Sequence, residues 1–478
     1  MQKSSLVAIL KRLSKRDWRE FRKFVRSPYF NQREDVVLLF DYIDEAIHFL
    51  PPMAIDRKKV FTKVYAENFD EKKLRHTTSF LLKILKKYLT QAEFEKDQVQ
   101  TQQYLCKSFR KKGMEVFFEK ELNQARAILE KEIHRDGKFY FKNYELGMEE
   151  AGFTAAHLRK ENKNFQSTAD HLTVSFVASM LQLGCEIQSH QTMSKEAYDL
   201  KLLPQILDLI IAGNYKNVPV INLYFHCYNS IESLEINEIS KSEKHFQAFK
   251  KLIYQHWKLI PPNEIRNIYL YAINYCIKRL NSGERRFIRE AFELFRSGLE
   301  NETLLEEGVL SSFTYKNITR LGVALSENKW VEQFLEDYKK YLHPRERENT
   351  WRYNLAFFYF QQEKYKDAMQ LLLRVEFKDM LNNLDARRML LKSYFELGEY
   401  NALDSLLDSF SRYIYRQKEM GYHRDNYLNL IRFVKKIIQV RVEDKNNWQE
   451  LKKEIESTTR LAEREWILEK LETTKNQF

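Results

Sequence analysis

Thirty-five residues separate two near-copies of one pattern in the stretch 349–410. Leu355, Tyr359, Glu363 and Tyr365 return as Leu390, Tyr394, Gly398 and Tyr400. A repeat of this length encodes a helix–turn–helix unit that cannot bury its apolar face alone, so copies must stack. One step upstream, Trp330 stands thirty-five residues before Tyr365, after a helix-patterned run at 315–326. The helix that follows slips by one and puts Phe334, Tyr338 and Tyr341 on its apolar face. Only 12 glycines and 8 prolines punctuate 478 residues, too few for the turns of a large β-protein. No alternating apolar run with a hairpin signal occurs. The chain is expected to be all-α, with its 27 tyrosines and 33 phenylalanines filling helix interfaces.

The stretch resembles tetratricopeptide repeats. The first copy supplies that pattern with Leu355, Ala356, Tyr359, Tyr365, Ala368 and Leu372, and the second with Leu390, Leu391, Tyr394, Gly398, Tyr400, Leu403 and Leu407. The second copy carries leucine at both places where the family has a small side chain, which predicts a wider or shifted helix crossing there. The resemblance implies an α-solenoid of helix pairs coiled into a right-handed superhelix over residues 96–478. In this family the first helix of each pair lines the concave face, two and six places after its opening turn. Carried onto this chain, the rule selects Tyr353 and Phe357 in one unit and Arg388 and Lys392 in the next, as a surface for a peptide bearing an apolar side chain and a carboxylate.

Residues 1–95 read as a separate, basic helical domain. Ser14 and Asp17 have capping-box spacing. Trp18, Phe21, Phe24 and Val25 form the stripe of the helix that follows, and the run 71–94 forms a long helix. Pro51 and Pro52 break the segment between them. The motif FRKFVRSPYFN resembles stretches of uncharacterised helical-repeat proteins of Bacteroidetes bacteria, and no activity comes with it. The polar stretch 91–103 is the expected boundary. Beyond it helical patterns alternate with short turns: 105–117 with 119–133, then 139–159 with 169–189, the last with Leu172, Phe176, Met180, Leu183 and Ile187 on one face. The charged segment 446–475, beginning at Asn446, reads as a capping element whose outer face is wettable.

Motifs for catalysis are absent. There is no phosphate loop, no GxGxxG, no HExxH and no Cys/His cluster at zinc spacing, so neither cofactor nor metal is expected. His226 and Cys227 are adjacent, but neighbours on a helix point in different directions and seldom reach each other, which favours core packing. Glu149 and Glu150 read as a solvated helix surface. Cys106, Cys185, Cys227 and Cys276 are far apart in apolar contexts and are expected to be buried reduced thiols. The opening residues have too short an apolar run for a signal core, and no stretch reaches membrane-spanning length. A cytoplasmic, non-catalytic protein without membrane contact is expected.

Charge is concentrated at the front. Residues 1–26 hold nine Lys and Arg against Asp17 and Glu20, a net +7 of the chain's +12. At helical spacing Arg12, Arg16, Arg19 and Lys23 share one side, away from Trp18, Phe21 and Val25. Two readings follow. In the first the protein is an interaction scaffold that holds a partner peptide or helix in its concave face. In the alternative it is a nucleic-acid-associated regulatory protein whose basic N-terminal region touches phosphates.

Overall fold

The computed structural model describes residues 4–48, 55–155, 164–191, 194, 196, 198–213, 215, 217–376, 379–417, 420–421, 423–443 and 448–475. Among these residues the chain is all-helical, with two isolated backbone bridges and no β-sheet. Pro51, Pro52, Arg159 and Asn446 lie outside the described residues. The chain divides into two compact units, one of residues 1–183 with 202–221, the other of 184–201 with 222–478.

The first unit opens with α1 (Ser5–Leu10), α2 (Lys15–Val25), α3 (Glu34–His48), α4 (Arg57–Tyr65) and α5 (Glu71–Phe94). The expected capping box starts α2: the Ser14 hydroxyl accepts from the Asp17 amide at 3.1 Å, and the Asp17 carboxylate accepts from the Ser14 amide at 3.2 Å. Such a cap contributes about 1 kcal/mol. Trp18, Phe21 and Val25 are buried against Phe40 of α3 and Tyr88 of α5, while Phe24 stays half-exposed and stacks on Phe30 at 3.9 Å. Asp35 of α3 ties Arg33, Tyr65 and Thr77 together. Burial pushes its carboxyl up, but those three partners outweigh it and hold it at about 2.

The stretch 91–103 is mostly helical, with α5 ending at Phe94 and α6 (Gln98–Lys111) starting four residues later. The buried apolar side chains nevertheless form two groups, one within residues 6–88 and one within 99–153. α6 pairs with α7 (Glu115–Lys131), and α8 (Gly137–Phe153) packs on both, with Phe118 stacked on Phe153 at 4.0 Å. α9 (Phe165–Gln191) corrects an expectation. Its buried face is Val174, Val177, Ala178 and Leu181, whereas Leu172 and Leu183 are exposed and Phe176 is 46% exposed. Both stripes have helical spacing, and the smaller side chains took the interior because α8 comes close: a Cβ on Gly147 would meet Thr168 at 2.3 Å. α10 (Leu203–Ile211) completes the unit.

The division between the units falls inside α9 and inside α11 (Pro219–Glu235). The second unit continues with α12 (Ile239–His256), α13 (Pro262–Asn281), α14 (Phe287–Glu300), α15 (Ser312–Ala324), α16 (Asn328–Asp337), α17 (Arg347–Gln361), α18 (Tyr365–Leu372), α19 (Met380–Leu397), α20 (Tyr400–Arg416), α21 (His423–Glu443), α22 (Trp448–Ser457) and α23 (Arg464–Lys475). From α12 to α21 most consecutive helices pack on each other, and α15 also packs on α17, and α17 on α19.

One turn recurs through this unit. Asn237, Gly283, Ser326, Glu363 and Gly398 all have positive φ, and after each an amide bonds the carbonyl five residues back. The pairs are Glu238 to Ser233, Glu284 to Arg279, Glu327 to Gly322, Lys364 to Tyr359 and Glu399 to Tyr394, at 2.7–3.2 Å. This Schellman closure satisfies carbonyls that a helix end leaves open and reverses the chain into the next helix. Ala356 and Ala368 are fully buried in the α17/α18 pair, as are Leu391 and Leu403 at the equivalent places of α19/α20.

Candidate binding groove

Counting back from the recurring turn puts α15, α17 and α19 in register. Ten and six residues before Ser326 stand Lys316 and Arg320, at the same distances before Glu363 stand Tyr353 and Phe357, and before Gly398 stand Arg388 and Lys392. All six meet in one cluster. The Lys316 ammonium lies 5.3 Å from the centre of the Tyr353 ring and donates to the Asn382 side chain at 2.6 Å. The Arg320 guanidinium lies 5.1 Å from the centre of Phe357 and donates to the Tyr353 hydroxyl at 3.0 Å. Cations over aromatic faces keep their charge while covering apolar surface.

Two carboxylates lie among these cations. Asp385 accepts from Arg320 at 2.5 Å, from Arg388 at 2.6 Å and from the Tyr353 hydroxyl. Glu463, which immediately precedes α23, accepts from Lys392 at 2.7 Å and from Arg388. Burial pushes both carboxyls up, but the neighbouring cations prevail and leave each below its ordinary value, so both are ionised at neutral pH. Burial, together with Arg320, lowers the Lys316 ammonium. Lys316, Arg320, Arg388 and Lys392 thus lie around two carboxylates, Asp385 and Glu463. The Nε atoms of Arg320 and Arg388 are buried without a hydrogen-bond acceptor among the described residues.

The sequence rule picked four residues that the fold does bring together, but they do not form an open surface. Tyr353 is 2% exposed and belongs to the core, and Arg388 and Lys392 are already engaged by Glu463. Lys316, Arg320, Asp385 and Glu463 were not among the sequence candidates. Lys316 and Arg320 sit thirty-seven, not thirty-five, residues before their counterparts, so a fixed period passes over them, whereas the turn register finds them.

The basic N-terminal face is smaller than its spacing suggests. Arg12 lies in the turn after α1, outside α2, so it does not share a helix face with Arg16, Arg19 and Lys23. The last three are exposed, but Glu20 pairs with Arg19 at 3.0 Å and with Lys23 at 3.2 Å. Asp44 takes Arg22 and Asp41 takes Arg26, both at 2.5 Å. An open groove of about 660 Å³ beside Arg16 and Lys23 is also lined by Asp17, Glu20, Glu95 and Lys96, and its charges are mixed.

Elsewhere, His226 turns to His245, with Nδ1 atoms 2.9 Å apart, while Cys227 points into the core. Glu149 and Glu150 are not a solvated surface: they pair with Arg110 at 2.8 Å and Arg126 at 2.6 Å and tie α8 to α6 and α7. All four cysteines are buried and free. No metal-binding group of three or more His, Cys, Asp or Glu occurs among the described residues, and none of their helices is long and apolar enough to cross a membrane. Compared with models of known protein families, with curated proteins and with solved structures, the chain matches none.

Proposed function

We propose that this protein is a non-catalytic, cytoplasmic interaction scaffold, a tetratricopeptide-like α-solenoid whose first helices hold an acidic partner peptide or helix. The recurring turn in the second unit and the packing of α15 on α17 and α17 on α19 support the stacked arrangement. The turn at Gly113 between α6 and α7 has the same geometry, with the Met114 amide bonding the Phe109 carbonyl at 3.0 Å, and supports extending the pattern forward toward residue 96. On this reading residues 1–95 are a separate helical domain. The observation that supports this function is the carboxylate of Glu463 paired with both Arg388 and Lys392, beside the ring of Trp466.

The test is enrichment of an immobilised peptide library by the full chain and by R388E/K392E. The wild type is expected to enrich peptides with an acidic side chain near an aromatic one, and the charge-reversed protein to lose them. Equal enrichment by both proteins, at equal helical content, sinks the groove reading. The alternative, nucleic-acid association through the basic N-terminal region, is supported less because Glu20, Asp41 and Asp44 already pair with four of its cations.

A further inference from the structure

The contact between α19 and α23 differs in kind from the rest of the C-terminal packing. Residues of α22 and α23 such as Leu451, Ile455, Ile467 and Leu471 are buried in an apolar cluster shared with α21. Toward α19, by contrast, α23 and the residue before it present a row of polar and aromatic groups one helical turn apart. Glu463, 18% exposed, sits on Arg388 and Lys392. Trp466, 8% exposed, sets its ring edge-on to Phe395 with centroids 5.3 Å apart, lies 5.1 Å from the Lys392 ammonium, and donates its indole N–H to Glu396 at 2.9 Å. Lys470 pairs with the same Glu396 at 3.0 Å. Acid, aromatic and base on one helix thus face base, aromatic and acid on the other. Glu463 adopts φ +57, a left-handed conformation that a side-chain-bearing residue adopts at a cost, and its placement between the two cations depends on it.

We infer that the segment from Glu463 to Lys470 is an internal ligand of the groove, and that the external partner is a helix carrying the same order of groups: a carboxylate at its start, an aromatic residue three places on and a base four places after that. The inference rests on the groove reading above. A partner of this chemistry competes with Glu463 for Arg388 and Lys392, so the free protein holds its site closed and binding requires release of the C-terminal contact. The paired side chains are only 15–27% exposed, so opening the contact returns water or a new counter-charge to groups that packing had held from solvent.

A fluorescein-labelled peptide with this chain's residues 459–475 is the probe, titrated by anisotropy into the full-length protein. E463Q keeps the side-chain shape but frees Arg388 and Lys392 of their carboxylate, and it is expected to bind the probe at least ten-fold more tightly than the wild type. R388E/K392E added to E463Q is expected to abolish binding. Independently, saturating probe is expected to raise hydrogen exchange in residues 464–475 of uniformly 15N-labelled wild-type protein, whose fragments differ in mass from those of the probe. Equal affinity of wild type and E463Q, lost with R388E/K392E, overturns the internal ligand and leaves the groove standing. Absence of binding to E463Q at unchanged helical content, or unchanged exchange at saturation, overturns it too; the groove reading falls only if the charge-reversed protein enriches peptides as the wild type does.

Discussion

Arg320 and Asp385, sixty-five residues apart in the chain, hold their charged groups 2.5 Å apart and share the hydroxyl of Tyr353. The bridge links α15 to α19 through the side chain of the helix between them, so three successive units answer to one carboxylate. Truncating it in D385A leaves Arg320 and Arg388 half-buried without that counter-charge. The expected loss is about 2 kcal/mol, below the cost of a fully buried pair because Arg320 remains partly hydrated. Urea denaturation measures it, and Y353F, which removes the hydroxyl that donates to Asp385 and accepts from Arg320, should cost about 1 kcal/mol. A loss under about 0.5 kcal/mol in D385A would mean that water replaces the carboxylate.

The recurring turn makes a second prediction with opposite signs at equivalent positions. Gly398 has φ +71, which glycine adopts freely, so G398A should lower stability by about 1 kcal/mol. Glu363 and Ser326 occupy the same place with φ +59 and +60, and E363G and S326G should each raise stability by up to about 1 kcal/mol. Shifts in the urea midpoint report all three. Destabilisation by both glycine substitutions would show that the side chains of Glu363 and Ser326 contribute more than the strain they impose.

Those turns also explain how far the fold could be read from residues alone. The boundaries of α5 and the cap of α2 were readable because capping residue, apolar stripe and helix length agree there. The full run of units was not. Three of the five turn positions carry Asn, Ser or Glu instead of glycine, and connections of different length change the spacing between successive turns from thirty-five to forty-six residues. The fixed period therefore reached only the last two copies cleanly. In α9 two apolar stripes compete, and choosing the bulkier one pointed Phe176 the wrong way, because the fit to a close neighbour, not side-chain size, decided the matter. That Arg388 and Lys392 share one side of α19 was readable from their spacing; that Glu463 pairs with both was not, because seventy-odd residues of chain separate the partners.

Acid should weaken the second unit at one identifiable place. His226 of α11 and His245 of α12 share a proton across 2.9 Å, one ring donating and the other accepting. Burial, with His245 as the second cause, holds His226 at about 4; burial, with Lys241 and Lys244, also lowers His245. Both values lie below the 6.5 of an unperturbed histidine. The unfolded chain therefore binds more protons than the folded one between about pH 6.5 and 4, and stability falls as pH drops through that window. The slope is at most about 1.4 kcal/mol per pH unit for each proton. H226Q keeps a polar group but does not titrate, so its stability profile should be flatter than the wild type over this range. Parallel profiles would mean that the pair accepts its second proton without leaving the fold.

The N-terminal region permits a quantitative test of the nucleic-acid reading. Among the described residues of 1–26, Arg19, Lys23, Arg22 and Arg26 are engaged by Glu20, Asp44 and Asp41, whereas Lys11, Arg12, Lys15 and Arg16 have no ion pair. Each cation that docks on a phosphate releases condensed counterion, and the logarithm of affinity then falls by about 0.9 per contact for each decade of salt. Contact through these four cations alone limits the slope to about 3.6. Nothing in this region is placed to read base edges, so any such binding should be insensitive to sequence. A labelled duplex titrated into the full chain at two salt concentrations is expected to show no binding near physiological salt and, if any is seen at low salt, a slope no steeper than that limit. R12E/R16E should leave peptide capture unchanged, because neither residue belongs to the cluster on α15, α17 and α19. Tight binding at physiological salt with a steeper slope would show that the ion pairs of α2 and α3 open to admit phosphate, and would move the nucleic-acid reading ahead of the scaffold.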